Sequence, residues 1–236
     1  MAENKLPSRR RIITAGLSAA AATLGDIASS NSRSDSRPPT SGDSTSPAGP
    51  QDEWLDYKSQ ALHRILFDTT SSAGLGQALA FADVYFSVNK KSYGVEANEL
   101  SVLIVMHHFS TLFGFDDAIW SKYGKTFSDK KYKQDLTDPR TKRAPTLNVY
   151  NAKAIDSLTN GGVTLDSLSE KGARFAVCDT ATHGMANLLS KITHESADAI
   201  YAELSGHLIS NAVLVPAGIT AINRAQERGY SYTVAV

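Results

Sequence analysis

Residues 100–106 have the sequence Leu-Ser-Val-Leu-Ile-Val-Met, and this stretch decides the fold. Apart from Ser101, every side chain in it is apolar. A half-exposed strand would alternate polar and apolar residues, whereas a continuous apolar run indicates a strand of a parallel sheet that is covered on both faces. The stretch therefore predicts a sheet between two layers of helices.

Similar strands and intervening helices are predicted along the rest of the chain. The other predicted strands are residues 63–68, 174–178, 212–215 and 230–236. The predicted helices are residues 74–89, 116–123, 166–172, 182–192 and 195–206, followed by one that ends at Arg228. This alternation predicts a three-layer α/β/α domain with a mostly parallel five-stranded sheet, of the Rossmann or flavodoxin-like type, with right-handed crossovers. Residues 124–164 show no sustained period and predict a long excursion over one edge of the sheet.

The composition excludes several classes of partner and site. Lys plus Arg and Asp plus Glu each number 24, so the formal net charge is zero. A chain without net charge has no field that attracts nucleic acid or an anionic membrane, and we expect neither as a partner. The single cysteine, Cys178, excludes an intramolecular disulfide and any multi-cysteine zinc or iron–sulfur site.

The first fifty residues predict an export signal and a tether. Residues 8–14, Ser-Arg-Arg-Arg-Ile-Ile-Thr, resemble a twin-arginine motif. Residues 15–24 follow as a weakly apolar stretch, too short for a transmembrane helix of about 20 residues. We predict a signal peptide over residues 1–28, a disordered linker over 29–51 and a folded domain over 52–236. The protein is then expected in the periplasm, or otherwise exported through the twin-arginine pathway, with no membrane span after cleavage.

Polar and reactive residues follow three of the predicted strands. Because ligands of parallel sheets bind beyond the carboxyl ends of the strands, these residues predict a functional site at that edge. The candidate catalytic residues are Cys178, His183 and His108, and the candidate cofactor-binding residues are Asp68, Thr69 and Thr180. The sequence identifies neither the cofactor nor a metal.

Cys178 stands at the junction of a predicted strand and a predicted helix. A thiol there lies near the positive end of the helix dipole and near free backbone N–H groups, which stabilise a thiolate or persulfide anion. The alternative is a buried cysteine that acts as a small apolar side chain, which is the commoner role of a lone strand cysteine.

The neighbouring acid and imidazoles leave further alternatives open. His107 and His108 could bind a soft transition metal together with the thiol, or serve as base to Cys178. Adjacent strand residues point to opposite sides, so at most one imidazole is expected to face the site unless the chain bends there. Asp68 could orient His108 through a hydrogen bond or cap the following turn, and we expect the cap.

Two stretches resemble the DsrE/DsrF-like sulfur-relay family. Residues 175–184, Phe-Ala-Val-Cys-Asp-Thr-Ala-Thr-His-Gly, resemble its strand–cysteine–helix junction. Residues 213–230, Val-Leu-Val-Pro-Ala-Gly-Ile-Thr-Ala-Ile-Asn-Arg-Ala-Gln-Glu-Arg-Gly-Tyr, are similar to its ending, in which a Val-Pro-small-Gly strand exit precedes a helix and a Gly-Tyr strand. Together with the strand at 63–68, the resemblance spans most of residues 60–236.

This resemblance implies a parallel sheet between helices, assembly as trimers or hexamers, and sulfur carried as a cysteine persulfide. Cys178 would be the sulfur acceptor, and His183 stands where the family usually has an arginine. We therefore expect an exported protein that binds or relays sulfane sulfur on Cys178 with a separate donor or acceptor protein, because the chain has no second thiol to resolve the persulfide. The alternative is a non-enzymatic module that binds a small ligand or metal, or an oligomeric scaffold.

Overall fold

The computed structural model describes residues 50–129, 136–151 and 158–236. The predicted signal peptide, 1–28, and all but the last two residues of the predicted linker, 29–51, lie outside this range. The linker's last two residues already belong to a 3₁₀ helix, Pro50–Lys58. None of the helices in the described residues has the length and apolar content that a membrane crossing requires.

The sheet has five strands, all parallel. They are β1 (His63–Thr69), β2 (Leu100–Met106), β3 (Arg174–Cys178), β4 (Ala212–Val215) and β5 (Ser231–Ala235). Their order across the sheet is β4-β3-β2-β1-β5. The predicted fold class, a three-layer α/β/α arrangement around a parallel five-stranded sheet, is confirmed. The strand order differs from the 3-2-1-4-5-6 and 2-1-3-4-5 orders of Rossmann and flavodoxin sheets.

In the described residues, six α-helices lie between the strands, close to their predicted positions. They are α1 (Ser72–Val88), α2 (Asp117–Phe127), α3 (Leu165–Glu170), α4 (Asp179–Thr193), α5 (Ala197–Gly206) and α6 (Gly218–Glu227). Shorter helical turns occupy Asn89–Tyr93, Ala97–Glu99 and His108–Gly114. The sequence did not predict these turns, because one or two turns of helix are too short to establish a hydrophobic period.

The direction of the chain across the sheet distributes the helices between its two faces. From β1 to β4 the chain moves in one direction, and α1 to α5 contribute to the core on one face. It then returns past three strands to β5, and α6 packs on the opposite face. Right-handed crossovers in opposite directions place helices on opposite faces. β2 is therefore covered on both sides and all seven of its residues are buried, as its apolar run predicts.

The long excursion after α2 joins the helix layer instead of running over an edge of the sheet. In its described parts, Asn148 Nδ2 donates hydrogen bonds to the carbonyls of Phe113 and Phe115, at 2.9 and 3.0 Å. Tyr150 donates from its hydroxyl to the carbonyl of Ser72 at 2.6 Å. Both side chains are buried, so this polar stretch is held by a few core contacts that have no periodic signature.

The second face of the sheet is also covered by the segment before β1. A single helix, α6, is too narrow to cover five strands, and the 3₁₀ helix Pro50–Lys58 packs beside it in the second core. Trp54 and Leu55 are buried there with α6 residues such as Ile222. Tyr57 donates from its hydroxyl to the carbonyl of Val102 at 2.9 Å, which ties the segment to the central strand.

We expect Leu55→Ala to lower the free energy of unfolding by about 2–5 kcal/mol, because it leaves a cavity in this second core. Leu62→Ala is the matched control, since Leu62 is 63% exposed, and it should change stability by less than about 0.5 kcal/mol. Urea denaturation of the two variants measures both values. Equal stabilities would show that the segment does not pack against the sheet.

Candidate functional site

A cavity lies where the chain reverses direction across the sheet. β3 and β4 are neighbours, yet α4 leaves β3 toward one face and α6 leaves β4 toward the other. Such a divergence opens a crevice at the carboxyl ends of the strands, where α/β sheets bind ligands. The cavity there has a volume of ≈ 470 Å³ and is lined by His107, His108, Cys178, Thr180, Ala181 and the start of α6.

Cys178 occupies the predicted junction, as the last residue of β3 and the N-cap of α4. Its Sγ accepts a hydrogen bond from the backbone N–H of Ala181 at 3.4 Å. The residue is 6% exposed and lines the cavity, through which a ligand would reach it. The start of an α-helix favours negative charge, and the cavity gives a small group access to this buried sulfur.

Asp68, at the end of β1, holds the ring of His107. His107 Nε2 lies 2.7 Å from Asp68 Oδ1, and the Tyr232 hydroxyl on β5 donates to Oδ2 at 2.9 Å. Burial by itself would raise the pKa of the Asp68 carboxyl, but the hydrogen bonds from His107 and Tyr232 outweigh it and hold this pKa below its ordinary value. An ionised carboxylate only accepts hydrogen bonds, so the His107 proton lies on Nε2. The lone pair of the neutral ring is then on Nδ1.

The expected cap at Asp68 is wrong, and so is the alternative of a hydrogen bond to His108. Asp68 does not cap the turn after β1, because the Oγ of Ser71 takes that role by accepting from Gly74 N–H at 3.0 Å. It also binds His107 and not His108. In the parallel register Thr69 lies opposite Met106, so the first residue after β2 comes beside the end of β1.

Both imidazoles line the same cavity. The strand ends at Met106, and His108 has a φ of 54°, in the left-handed region, as it begins the 3₁₀ turn His108–Gly114. This bend overrides the alternation of a strand, and the two rings lie 5.3 Å apart between centroids. His107 is mostly buried whereas His108 is exposed. Among the described residues, no hydrogen bond joins the Cys178 sulfur to either ring.

His183 is not brought into the cavity. Five residues after Cys178, it lies on a different side of α4, where its ring stacks on that of Tyr201 with 3.8 Å between centroids. Its Nε2 is 3.7 Å from the carboxylate of Asp179, which also accepts from the Tyr201 hydroxyl at 2.8 Å. The expectation that His183 lies in the site with Cys178 is wrong, because the helical rotation of about 100° per residue carries it away from the sulfur.

The two candidate threonines differ in their access to the cavity. Thr69 is fully buried, and its hydroxyl donates to the carbonyl of Val105 at 2.8 Å and contacts Ser110 Oγ at 3.0 Å, so it fixes the strand end and cannot reach a ligand. Thr180 lines the cavity. Its hydroxyl donates to the carbonyl of Pro216 at 2.9 Å and ties α4 to the end of β4.

Gly218 lies in close contact with His107, and the sequence did not predict this contact. A Cβ on Gly218, the first residue of α6, would lie 2.5 Å from Cβ and 2.7 Å from Cγ of His107. Only glycine therefore lets α6 begin against the imidazole. Tyr232 was missed as well, because nothing in its local sequence shows that β5 lies beside β1.

The metal alternative lacks a ligand set in the part of the chain that is described. Residues 50–129, 136–151 and 158–236 contain no group of three or more His, Cys, Asp or Glu side chains that could hold a metal ion. Comparison of the chain with protein-family models, with curated proteins and with solved structures found no match. The local geometry of the cavity is therefore the basis for assigning a function.

We expect Gly218→Ala to lower the free energy of unfolding by about 1–3 kcal/mol, because the added methyl group collides with His107 and forces a shift of the ring or of α6. Gly184→Ala in α4 is the matched control: its new Cβ meets nothing within 4 Å, and helix propensity alone should raise stability by about 0.5–1 kcal/mol. Thermal and urea unfolding measure both. A Gly218→Ala variant as stable as Gly184→Ala would contradict this packing.

Proposed function

We propose that this protein takes up sulfane sulfur as a persulfide on Cys178 and passes it to an acceptor. The observation that carries the proposal is the position of Sγ, which caps the start of α4 inside a cavity. There the backbone N–H of Ala181 already donates to the sulfur. A persulfide anion needs the same stabilisation as a thiolate, and the cavity offers room for the added atom.

The transfer is an exchange between two sulfur atoms. The Cys178 thiolate attacks the outer sulfur of a donor R–S–SH, so a new S–S bond forms on Cys178 while the S–S bond of the donor breaks. The leaving R–S⁻ takes up a proton and departs as R–SH. The cysteine is oxidised to the persulfide as the donor is reduced to the thiol, and no other oxidant is needed.

Discharge of the persulfide requires a second molecule. Cys178 is the only cysteine in the sequence, so no internal thiol can resolve the persulfide as a disulfide. The acceptor is therefore a separate thiol, carried by a protein or by a small molecule. Because Cys178 is 6% exposed, the partner must bring a narrow reactive group into the cavity.

The remaining parts of this proposal rest on the sequence. Membership of the DsrE/DsrF-like family rests on residues 175–184 and 213–230, and export through the twin-arginine pathway to the periplasm rests on residues 8–14 and 15–24. The alternative function is binding of a small ligand without chemistry. It is favoured by the apolar wall that Ala181, Ala217 and Ile219 give to the cavity.

We further propose that copies of the chain associate through the outer side of α1 and the edge strand β5, in the trimers or hexamers that the resemblance implies. Phe81, Val84 and Val88 on α1 are 49%, 56% and 43% exposed. β5 ends the sheet and carries neither a charged residue nor proline, the usual protection of an open edge. An apolar surface of this kind is typical of a contact between subunits.

Treatment of the purified protein with glutathione persulfide should add the mass of one sulfur atom to the intact chain. Cys178→Ser is the control and should gain nothing while it unfolds at a similar urea concentration. Intact mass spectrometry gives a direct answer because the sequence has one cysteine. The proposal would be contradicted if the native protein gains no sulfur although its thiol is intact, as shown by reaction with iodoacetamide after denaturation. Binding of a small ligand without chemistry would then be the favoured function.

Light scattering on a sizing column should give an oligomer for the wild type and a lower mass for Val84→Glu. A charge at this exposed position costs free energy only where a partner buries it. Ile192→Glu is the matched control, since Ile192 is 39% exposed on α4, away from the proposed contact, and it should keep the wild-type mass. A monomeric wild type would overturn the proposed association.

A further inference from the structure

A chain of hydrogen bonds runs from the sheet edge to the cavity. Tyr232 on β5 donates to Asp68 on β1, and Asp68 accepts from His107 at the end of β2. The imidazole then faces the cavity that Cys178 enters from β3. Tyr232 on β5, Asp68 on β1 and His107 directly after β2 thus form a hydrogen-bonded series that reaches the cavity lined by Cys178 at the end of β3.

We infer that His107 is the catalytic acid–base group for Cys178, and that Asp68 and Tyr232 are positioning residues that act through His107. The sulfur-transfer part of this inference rests on the function proposed above. The part that concerns the protonation of the thiol does not, because it applies to any electrophile that enters the cavity.

The protonation of the ring follows from its neighbours. The ionised Asp68 carboxylate accepts from Nε2, which fixes the proton there and leaves the lone pair of the neutral ring on Nδ1. The same carboxylate stabilises the positive charge that forms when Nδ1 takes a second proton, as the aspartate of a Ser-His-Asp triad does. Nδ1 is therefore the atom that exchanges protons with the reaction.

One proton moves to the ring and back during a transfer. The thiol proton of Cys178 passes to Nδ1, and the thiolate attacks the outer sulfur of R–S–SH. The leaving R–S⁻ then takes this proton from Nδ1 and departs as R–SH, while the other ring proton stays on Nε2, hydrogen-bonded to Asp68. No hydrogen bond joins His107 to Sγ among the described residues, and catalytic hydrogen bonds are commonly long before substrate binds.

The backbone around His107 is fixed from several sides. Its N–H donates to the carbonyl of Thr69 at 3.2 Å, and its own carbonyl accepts from Ser110 Oγ at 2.8 Å. Gly218 of α6 leaves no space for the ring to shift toward that helix. The ring is thus held as a group with one orientation, which is what an acid–base residue needs.

Other titratable groups near the ring are few, and the chain offers a matched control. In the part of the chain that the structure describes, the titratable groups placed near His107 by a contact or by the shared cavity are Asp68, with Tyr232 behind it, the exposed His108 and Cys178. A second Asp–His pair, Asp116 and His207, has a 3.0 Å contact but is 37% and 45% exposed. Asp116→Asn removes its charge and keeps an N-cap for α2, because asparagine caps as well as aspartate.

The experiment measures the rate at which iodoacetamide alkylates Cys178 and the rate of persulfide uptake from glutathione persulfide, each across pH 5–9. Asp68→Asn presents an amide N–H₂ to Nε2 and so favours the wrong tautomer. We expect both rates to fall roughly 10²-fold near neutral pH and the histidine-dependent limb of the profile to disappear. Tyr232→Phe should give a smaller fall, and Asp116→Asn should match the wild type.

The two rates separate this inference from the proposed function. If Asp68→Asn changes the alkylation profile but the wild type takes up no sulfur, His107 keeps its role and the sulfur function fails. His107→Gln and Tyr232→Phe, which removes one hydroxyl from a 45% exposed side chain, provide further variants if Asp68→Asn does not fold. The inference is overturned if every variant of these three that folds by circular dichroism keeps the wild-type alkylation profile.

Discussion

The sheet of this protein has to be covered on both faces, and the path of the chain follows from that constraint. β2 buries all seven of its residues, with Val102, Ile104 and Met106 in one core and Leu103 and Val105 in the other. Covering both cores requires helices on each side, and right-handed crossovers deliver them only if the chain changes direction. It does so after β4, and the crevice formed there contains Cys178. The candidate site is thus a product of the same requirement that shapes the core.

The strands and helices could be predicted from the sequence because each carries its own signal. Contiguous apolar residues marked the strands, and spacings of three and four marked the helices. The junction at Cys178 followed directly, since it lies within one such pair of elements. The segment Pro50–Lys58 and the 3₁₀ turn His108–Gly114 were missed because short helices contain no repeat.

The hydrogen bonds between the site residues could not be predicted, because they depend on which strands are neighbours in the sheet. Thr69 and Asp68 are adjacent in sequence, yet their side chains have different partners. Thr69 is fully buried and donates to the Val105 carbonyl, whereas Asp68 binds His107. The partner of Asp68 is decided by the register between β1 and β2, and Tyr232 enters through the pairing of β1 with β5. Local sequence patterns show neither the register between β1 and β2 nor the pairing of β1 with β5. His183 illustrates a similar limit within a helix, where five residues of rotation from Cys178 place its ring against Tyr201 and not in the cavity.

The position of β5 beside β1 also sets an order of events during synthesis. Ile65 pairs with Ser231, so β1 stays at an open edge until residues 231–235 have emerged from the ribosome. Contacts so distant along the chain form slowly, because a long loop must close first. Tyr232 arrives with that last strand, and only then does Asp68 gain its second hydrogen bond. In a nascent or truncated chain that lacks β5, the carboxylate behind His107 would therefore be held by one hydrogen bond fewer.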